Sequence, residues 1–202
     1  MSKGLVWQRT DVTGAEYAAV DERRGLVAHG VAVADDPLPY ACRYDLTTDE
    51  DWVSARFDVN VEGTGWHRAV RMERAAGRWR VTASEKGDLD AALRAAGRRA
   101  APLAGSEDPD RLADALDVDL YASPLTNTLP LRRLRLLDAD PGTSTTITAA
   151  WVLLPSLAVL ASEQTYTLLG PGRVRYASGT FTADLELDAS GYVTHYPGLA
   201  RR

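Results

Sequence analysis

Between Pro124 and Pro130 the chain concentrates uncommitted hydrogen-bonding groups: Thr126, Asn127 and Thr128 sit between two prolines that donate no backbone N–H. The Asn127 amide therefore has donors and an acceptor to offer. Downstream, LRRLRLL (131–137) read with period two puts Arg132, Leu134 and Leu136 on one face and Arg133 and Arg135 on the other. If the leucines face inward, so does Arg132, and an inward guanidinium needs an anion, a carbonyl cluster or water. In VLASEQTYTLL, Gln164 shares its face with Leu160 and Tyr166; a buried amide left unpaired costs about 1–3 kcal/mol, so it must find partners. Trp52 falls on the polar phase of its strand, with Arg56 on the same face about 13 Å along. An exposed tryptophan on a sheet can stack on a sugar ring. Two outcomes are open. Asn127, Arg132 and Gln164 satisfy one another and nearby carbonyls, or some of them line an apolar-walled pocket and meet a ligand's polar head.

Catalytic and metal-binding patterns are sparse. The three histidines are His29, His67 and His195, and none forms an H-x-x-x-H or H-x-H pair. His29 alternates in phase with Val27, Val31 and Val33, so it is expected to point at the core; His67 is expected to be solvated. There is no nucleophile elbow, phosphate-cradling loop or dinucleotide fingerprint. The acidic stretches TTDEDW (47–52) and DVD (117–119) lack calcium-loop spacing and read as solvated turns. An enzyme would need a pair assembled by the fold, for example His29 or His195 near Asp117 or Asp119. No cofactor and no metal are expected.

The elements that must position these groups are strands. GTFTADLELD places Phe181, Ala183, Leu185 and Leu187 on one face, and WVSARFDVNVE places Val53, Ala55, Phe57, Val59 and Val61 opposite Trp52, Ser54 and Arg56. Such alternation marks antiparallel strands with one buried face. Further strands are expected near 16–20, 26–34, 39–47, 66–74, 78–83, 131–137, 145–154, 158–169, 173–178 and 191–196. Turn dipeptides such as Ala76-Gly77 and Pro171-Gly172 separate them. Trp66, Trp79 and Trp151 lie in apolar phase and are expected in the core; Trp7 fits either side. Residues 85–116 are rich in Ala, Arg and Asp and predict a short helical insertion. Asp108-Pro109-Asp110 there could cap a second helix carrying Leu112 and Leu116. The segments before and after it, about 1–84 and 117–202, resemble each other, as in CRYDL at 42–46 against QTYTL at 164–168. Internal duplication within one domain, 1–202, is the expectation.

Composition bounds the remaining options. With 202 residues, 45% hydrophobic and 25% charged, the chain is long enough for a substantial core. A net charge of −5 argues against a nucleic-acid partner. Cys42 is the single cysteine, so no internal disulfide can form. The longest apolar run, 149–161, is interrupted by Pro155 and is too short to span a bilayer. A cytoplasmic location is expected, and the oligomeric state is not legible.

DVDLYASPLTNTLPLRRL (117–134), Q-x-Y at Gln164–Tyr166 and the closing GYVTHYPGLARR (191–202) resemble a family of bacterial proteins described as "putative glycolipid-binding". Trp-x-x-x-Arg at Trp52–Arg56 and the hairpin near Trp79 resemble it too, whereas 85–112 is longer than the family pattern. The resemblance implies a single antiparallel sheet wound as a spiral β-roll, similar in fold to lipoprotein-carrier proteins, and it brings no catalytic residues. Combined with the residue-level reading, it leads to an expected protein that encloses a lipid or glycolipid in a rolled sheet. Thr126, Asn127, Arg132 and Gln164 would meet the head, and Tyr166, Trp52 and Arg56 would complete the site. Arg132 would carry an anionic head. The alternatives are a structural or protein-interaction β-domain with a filled interior and a lipid- or sugar-modifying enzyme.

Overall fold

The period-two segments become strands because alternate apolar side chains can be buried together on one face of a pleated sheet. A computed structural model describes residues 2–106 and 108–202. The first half supplies β1 (Lys3–Arg9), β2 (Gly14–Asp21), β3 (Val27–Ala34), β4 (Tyr40–Thr48), β5 (Ser54–Gly63), β6 (Trp66–Ala75) and β7 (Arg78–Gly87). The second supplies β8 (Asp117–Leu120), β9 (Ser144–Val152), β10 (Val159–Gly170), β11 (Arg173–Ser178), β12 (Phe181–Leu187), β13 (Val193–Tyr196) and β14 (Ala200–Arg201). All fourteen form one sheet, in the order β7 to β1 followed by β14 down to β8. The protein is mainly β, and the sheet is open rather than closed into a barrel. Every neighbouring pair is antiparallel except β8 and β9, which run parallel.

The two meanders join where β14 pairs with β1 through Gln8–Arg201 and Arg9–Ala200. That seam is short, and Trp7 reinforces it: the indole is fully buried and donates to the Val193 carbonyl at 2.7 Å. At the far ends the sheet curls so that β8 approaches β5, where the Val118 N–H donates to Ser54 Oγ at 3.2 Å. Residues 88–116 stitch these ends together. Asp88 caps α1 (Leu89–Ala95) by accepting from the Ala91 N–H, and the helix buries Leu89 and Leu93 in the core. Asp108 likewise caps a 3-10 turn, Pro109–Leu112, whose Leu112 is buried. Buried Arg68 donates to the carbonyls of Pro102 and Ser156, with Nε 3.1 Å from Glu85. One guanidinium thus ties the insertion to both halves. No helix among the described residues is long and apolar enough to cross a membrane.

Several expectations are corrected. Residues 131–137 are not a strand: Thr128–Arg133 form helix α2 and Leu136–Asp138 a 3-10 turn. Pro130 fits there because a first-turn residue has no intrahelical acceptor for its missing N–H. Seven residues of alternating Arg and Leu were too few to separate period two from 3.6. Trp52 precedes β5 instead of lying on it, in a turn where its own φ is 65° and Asp49 Oδ1 accepts from the N–H groups of Asp51 and Val53. DVD is not a solvated turn but the edge strand β8.

Strand β3 turns its valines the other way. Val27, His29, Val31 and Val33 are exposed, while Ala28, Gly30 and Ala34 face the core. The concave side there is already filled by large neighbours, so small residues must face it. A Cβ on Gly30 would lie 1.9 Å from Tyr44 Cζ. Gly30→Ala should therefore displace the Tyr44 ring and cost about 2 kcal/mol. The midpoint of thermal unfolding, followed by circular dichroism, should fall by about 4–8 °C; an unchanged midpoint would mean that the ring can move freely.

Candidate functional site

Strand β8 and the turn after it form one wall of a cleft of about 380 Å³; strands β9 to β13 form the other. Five aromatic side chains line it. Tyr121 and Trp151 lie at one side with ring centroids 6.3 Å apart. Tyr176, Phe181 and Tyr196 form a tilted triad at the other, with centroids 6.1–6.3 Å apart. Phe181 and Tyr121 are largely exposed, so the cleft opens to solvent.

Asp119 and Asn127 reach the polar floor of the cleft, and a connected network with Thr126, Gln164 and Tyr166 holds them from behind. Asp119 accepts from Thr126 Oγ1 at 2.8 Å and from Gln164 Nε2 at 2.7 Å. The Tyr166 hydroxyl shares its one proton between Gln164 Oε1 at 3.2 Å and Asn127 Oδ1 at 3.3 Å. Thr126, Asn127, Gln164 and Tyr166 are all buried, as groups this polar can be only when paired. The fold thus brings together four of the seven residues singled out from the sequence, around a carboxylate that the sequence reading had assigned to a solvated turn. Burial pushes the Asp119 carboxyl up to about 6, against the lowering effect of its two donors.

The other three lie elsewhere. Arg132 does not face the cleft: its Nη2 is 3.0 Å from Glu22 Oε2, and its guanidinium sits 4.7 Å from the centroid of the Trp52 ring. Tyr192 donates to the same Glu22, so Arg132 and Trp52 clasp the end of β2 to α2. Arg56 is paired with Asp58 at the surface. The inward arginine is the next one along the helix: Arg133 forks onto buried Asp117, with Nη2–Oδ2 at 2.6 Å and Nε–Oδ1 at 3.1 Å. Helical geometry, with 100° per residue in place of 180°, swaps the two.

A second buried carboxyl supports the same wall. Glu16 accepts from Ser123 Oγ at 2.6 Å and from the Tyr44 hydroxyl, while its Oε2 has no partner. Burial pushes this carboxyl up to about 7. The Ser123 bond steadies a turn in which Ala122 holds a left-handed φ of 64°, a conformation that L residues adopt only when their surroundings enforce it. Sequence reasoning missed Glu16, although its phase with Ala18 and Val20 in β2 was a usable signal. It also missed Tyr176, Phe181 and Tyr196, which meet only through strand pairing. Trp151, expected in the core, is half-buried at the cleft.

The histidines stand apart from Asp117 and Asp119: His29 pairs with Asp45, and His195 lies 3.8 Å from Glu186. Among the described residues, no three His, Cys, Asp or Glu side chains converge as a metal site would require. The concave side is otherwise filled over most of its extent by two apolar clusters.

The chain is similar to a DUF1089 family protein from Pseudomonas aeruginosa, whose crystal structure superposes with a TM-score of 0.71 at 28% identity over 93% of this chain and 91% of that one. None of the curated proteins matches it. The family model described as "Putative glycolipid-binding" matches residues 4–202, and the chain belongs to that family.

Proposed function

We propose that the protein holds the head of a glycolipid-like amphiphile in this cleft and performs no reaction on it. The observation that carries the reading is the meeting of five aromatic side chains with a hydrogen-bonded polar floor in a space of about 380 Å³. Sugar rings present apolar C–H faces for stacking and hydroxyls for the floor, and a pocket of this size accommodates a headgroup. The family description points the same way. Because the roll interior is filled, the tail would not be enclosed as first expected. It would run out along the exposed side chains of Leu160 and Phe181.

Solvent extraction of natively purified protein followed by mass spectrometry should recover an amphiphile, and octyl β-glucoside should change the Trp151 fluorescence on titration. Phe181→Ala, at an exposed position that spares the core, should weaken that affinity about fivefold to tenfold. An unaltered affinity would exclude the aromatic triad from binding. A structural or protein-interaction module is the second reading, favoured by the filled interior. It predicts empty extracts and no response to alkyl glycosides.

A further inference from the structure

We infer that the cleft selects a head bearing an ammonium group, as in an amino sugar or an amine-bearing lipid head, over neutral or anionic heads. The inference rests on the reading of the cleft as a binding site and concerns which chemistry it takes. Other carboxylates are already neutralised by arginines. Asp11, on the cleft, is held by Arg9 at 2.8 Å, and Asp117, next but one to Asp119 on β8, by Arg133; Glu22, away from the cleft, is held by Arg132. Asp119 differs, for it lines the cleft and receives only the neutral hydroxyl of Thr126 and the neutral amide of Gln164. Glu16, which likewise receives only the hydroxyls of Tyr44 and Ser123, lies behind the wall and does not face the cleft. Among the described residues, no lysine, arginine or histidine lines the cleft. An anionic head would meet an uncompensated negative charge in a poorly solvated place, and a neutral head would leave that charge unanswered.

A cation placed there gains twice. It neutralises Asp119, and it faces the Tyr176, Phe181 and Tyr196 rings, whose mutual tilts of 38–64° arrange them as walls instead of a flat stack. Tilted aromatic walls attract ammonium groups through the negative faces of their rings. The Asp119 carboxyl, raised to about 6 by burial, is ionised near pH 7 and protonated near pH 5. Discrimination should therefore be present at the first pH and absent at the second.

The test compares octyl β-glucoside, its 2-amino-2-deoxy analogue, octylamine and octyl phosphate by calorimetry on the full chain. Near pH 7 the aminoglucoside should bind about tenfold more tightly than the glucoside, with octyl phosphate weakest. Near pH 5 this ratio should fall towards one, and Asp119→Asn should bring it towards one at both pH values. Octylamine binding as tightly as the aminoglucoside would identify the amine alone as the recognised group; weaker binding would identify the amino sugar. Equal affinities for glucoside and aminoglucoside near pH 7 in the unaltered protein would overturn the charge selection and leave the cleft a sugar site. Failure of every probe to bind would overturn both readings. Glu16, raised to about 7 behind the Ser123 turn, titrates in the same range. Repeating the pH comparison in Glu16→Gln therefore assigns the change to Asp119 even if Asp119→Asn does not fold.

Discussion

Arg133→Met should lower stability by about 3 kcal/mol near pH 8 and by much less near pH 4. Asp117 is 1% exposed and Arg133 12%, so the pair is largely shielded from solvent. Removing the guanidinium leaves a carboxylate that neither water nor another cation can reach. Burial already outweighs Arg133 and holds the Asp117 carboxyl above its ordinary value, and without the arginine it must rise further. The sign follows. A folded pKa above the unfolded value favours folding at low pH, and that contribution disappears as pH rises from about 4 through the folded pKa. The variant's deficit should therefore grow with pH, as read by urea unfolding across that range. A second substitution, Asp117→Asn, should return much of the loss at high pH by removing the stranded charge. A deficit independent of pH would mean that Arg133 acts through packing of its methylenes and not through its charge.

Glu16→Gln should act in the opposite direction and raise stability above pH 7. The carboxyl lies in the core with an unpartnered Oε2, and burial outweighs its hydroxyl donors, moving it from 4.5 to about 7. The same sign rule applies. Glu16 is tolerated while protonated, below about 4.5, and becomes a penalty as pH rises through about 7. A shift of this size corresponds to about 3 kcal/mol. Glutamine keeps the acceptor for Tyr44 and Ser123 but cannot ionise. Near pH 8 its unfolding midpoint should exceed the parent's by roughly 6–10 °C, and near pH 4.5 the two should converge. Identical pH profiles for parent and variant would show that Glu16 does not titrate in the folded protein. A cost of this kind persists where the group does something else, and Glu16 steadies the Ser123 turn that forms one wall of the cleft.

Much of the architecture was legible because strand burial is a local, repeating pattern. Phe57, Val59 and Val61 in β5 and Ala183, Leu185 and Leu187 in β12 alternate in the sequence and are buried alternately in the fold. The helical insertion and the cap at Asp108 were legible for the same reason: the ends of such short elements are satisfied within a few residues of chain. Gln164 could be placed inward from its phase, and its need for partners followed from the cost of burying an amide.

Other features depended on groups distant in the chain. The outward turn of the β3 valines followed from the size of Tyr44 on the neighbouring strand, which alternation within β3 cannot express. The exchange of Arg132 for Arg133 required knowing that α2 is a helix, and its leucines satisfied either period. The cleft depends more heavily still on tertiary pairing. Its aromatic walls come from β9, β11, β12, β13 and the turn after β8, while the partners of Asp119 come from residue 126 and from β10. Phase along a strand reports which face a side chain takes, because adjacent side chains alternate by sterics alone. Which residues then meet across that face depends on strand order and curl, which are set by the burial of the whole sheet.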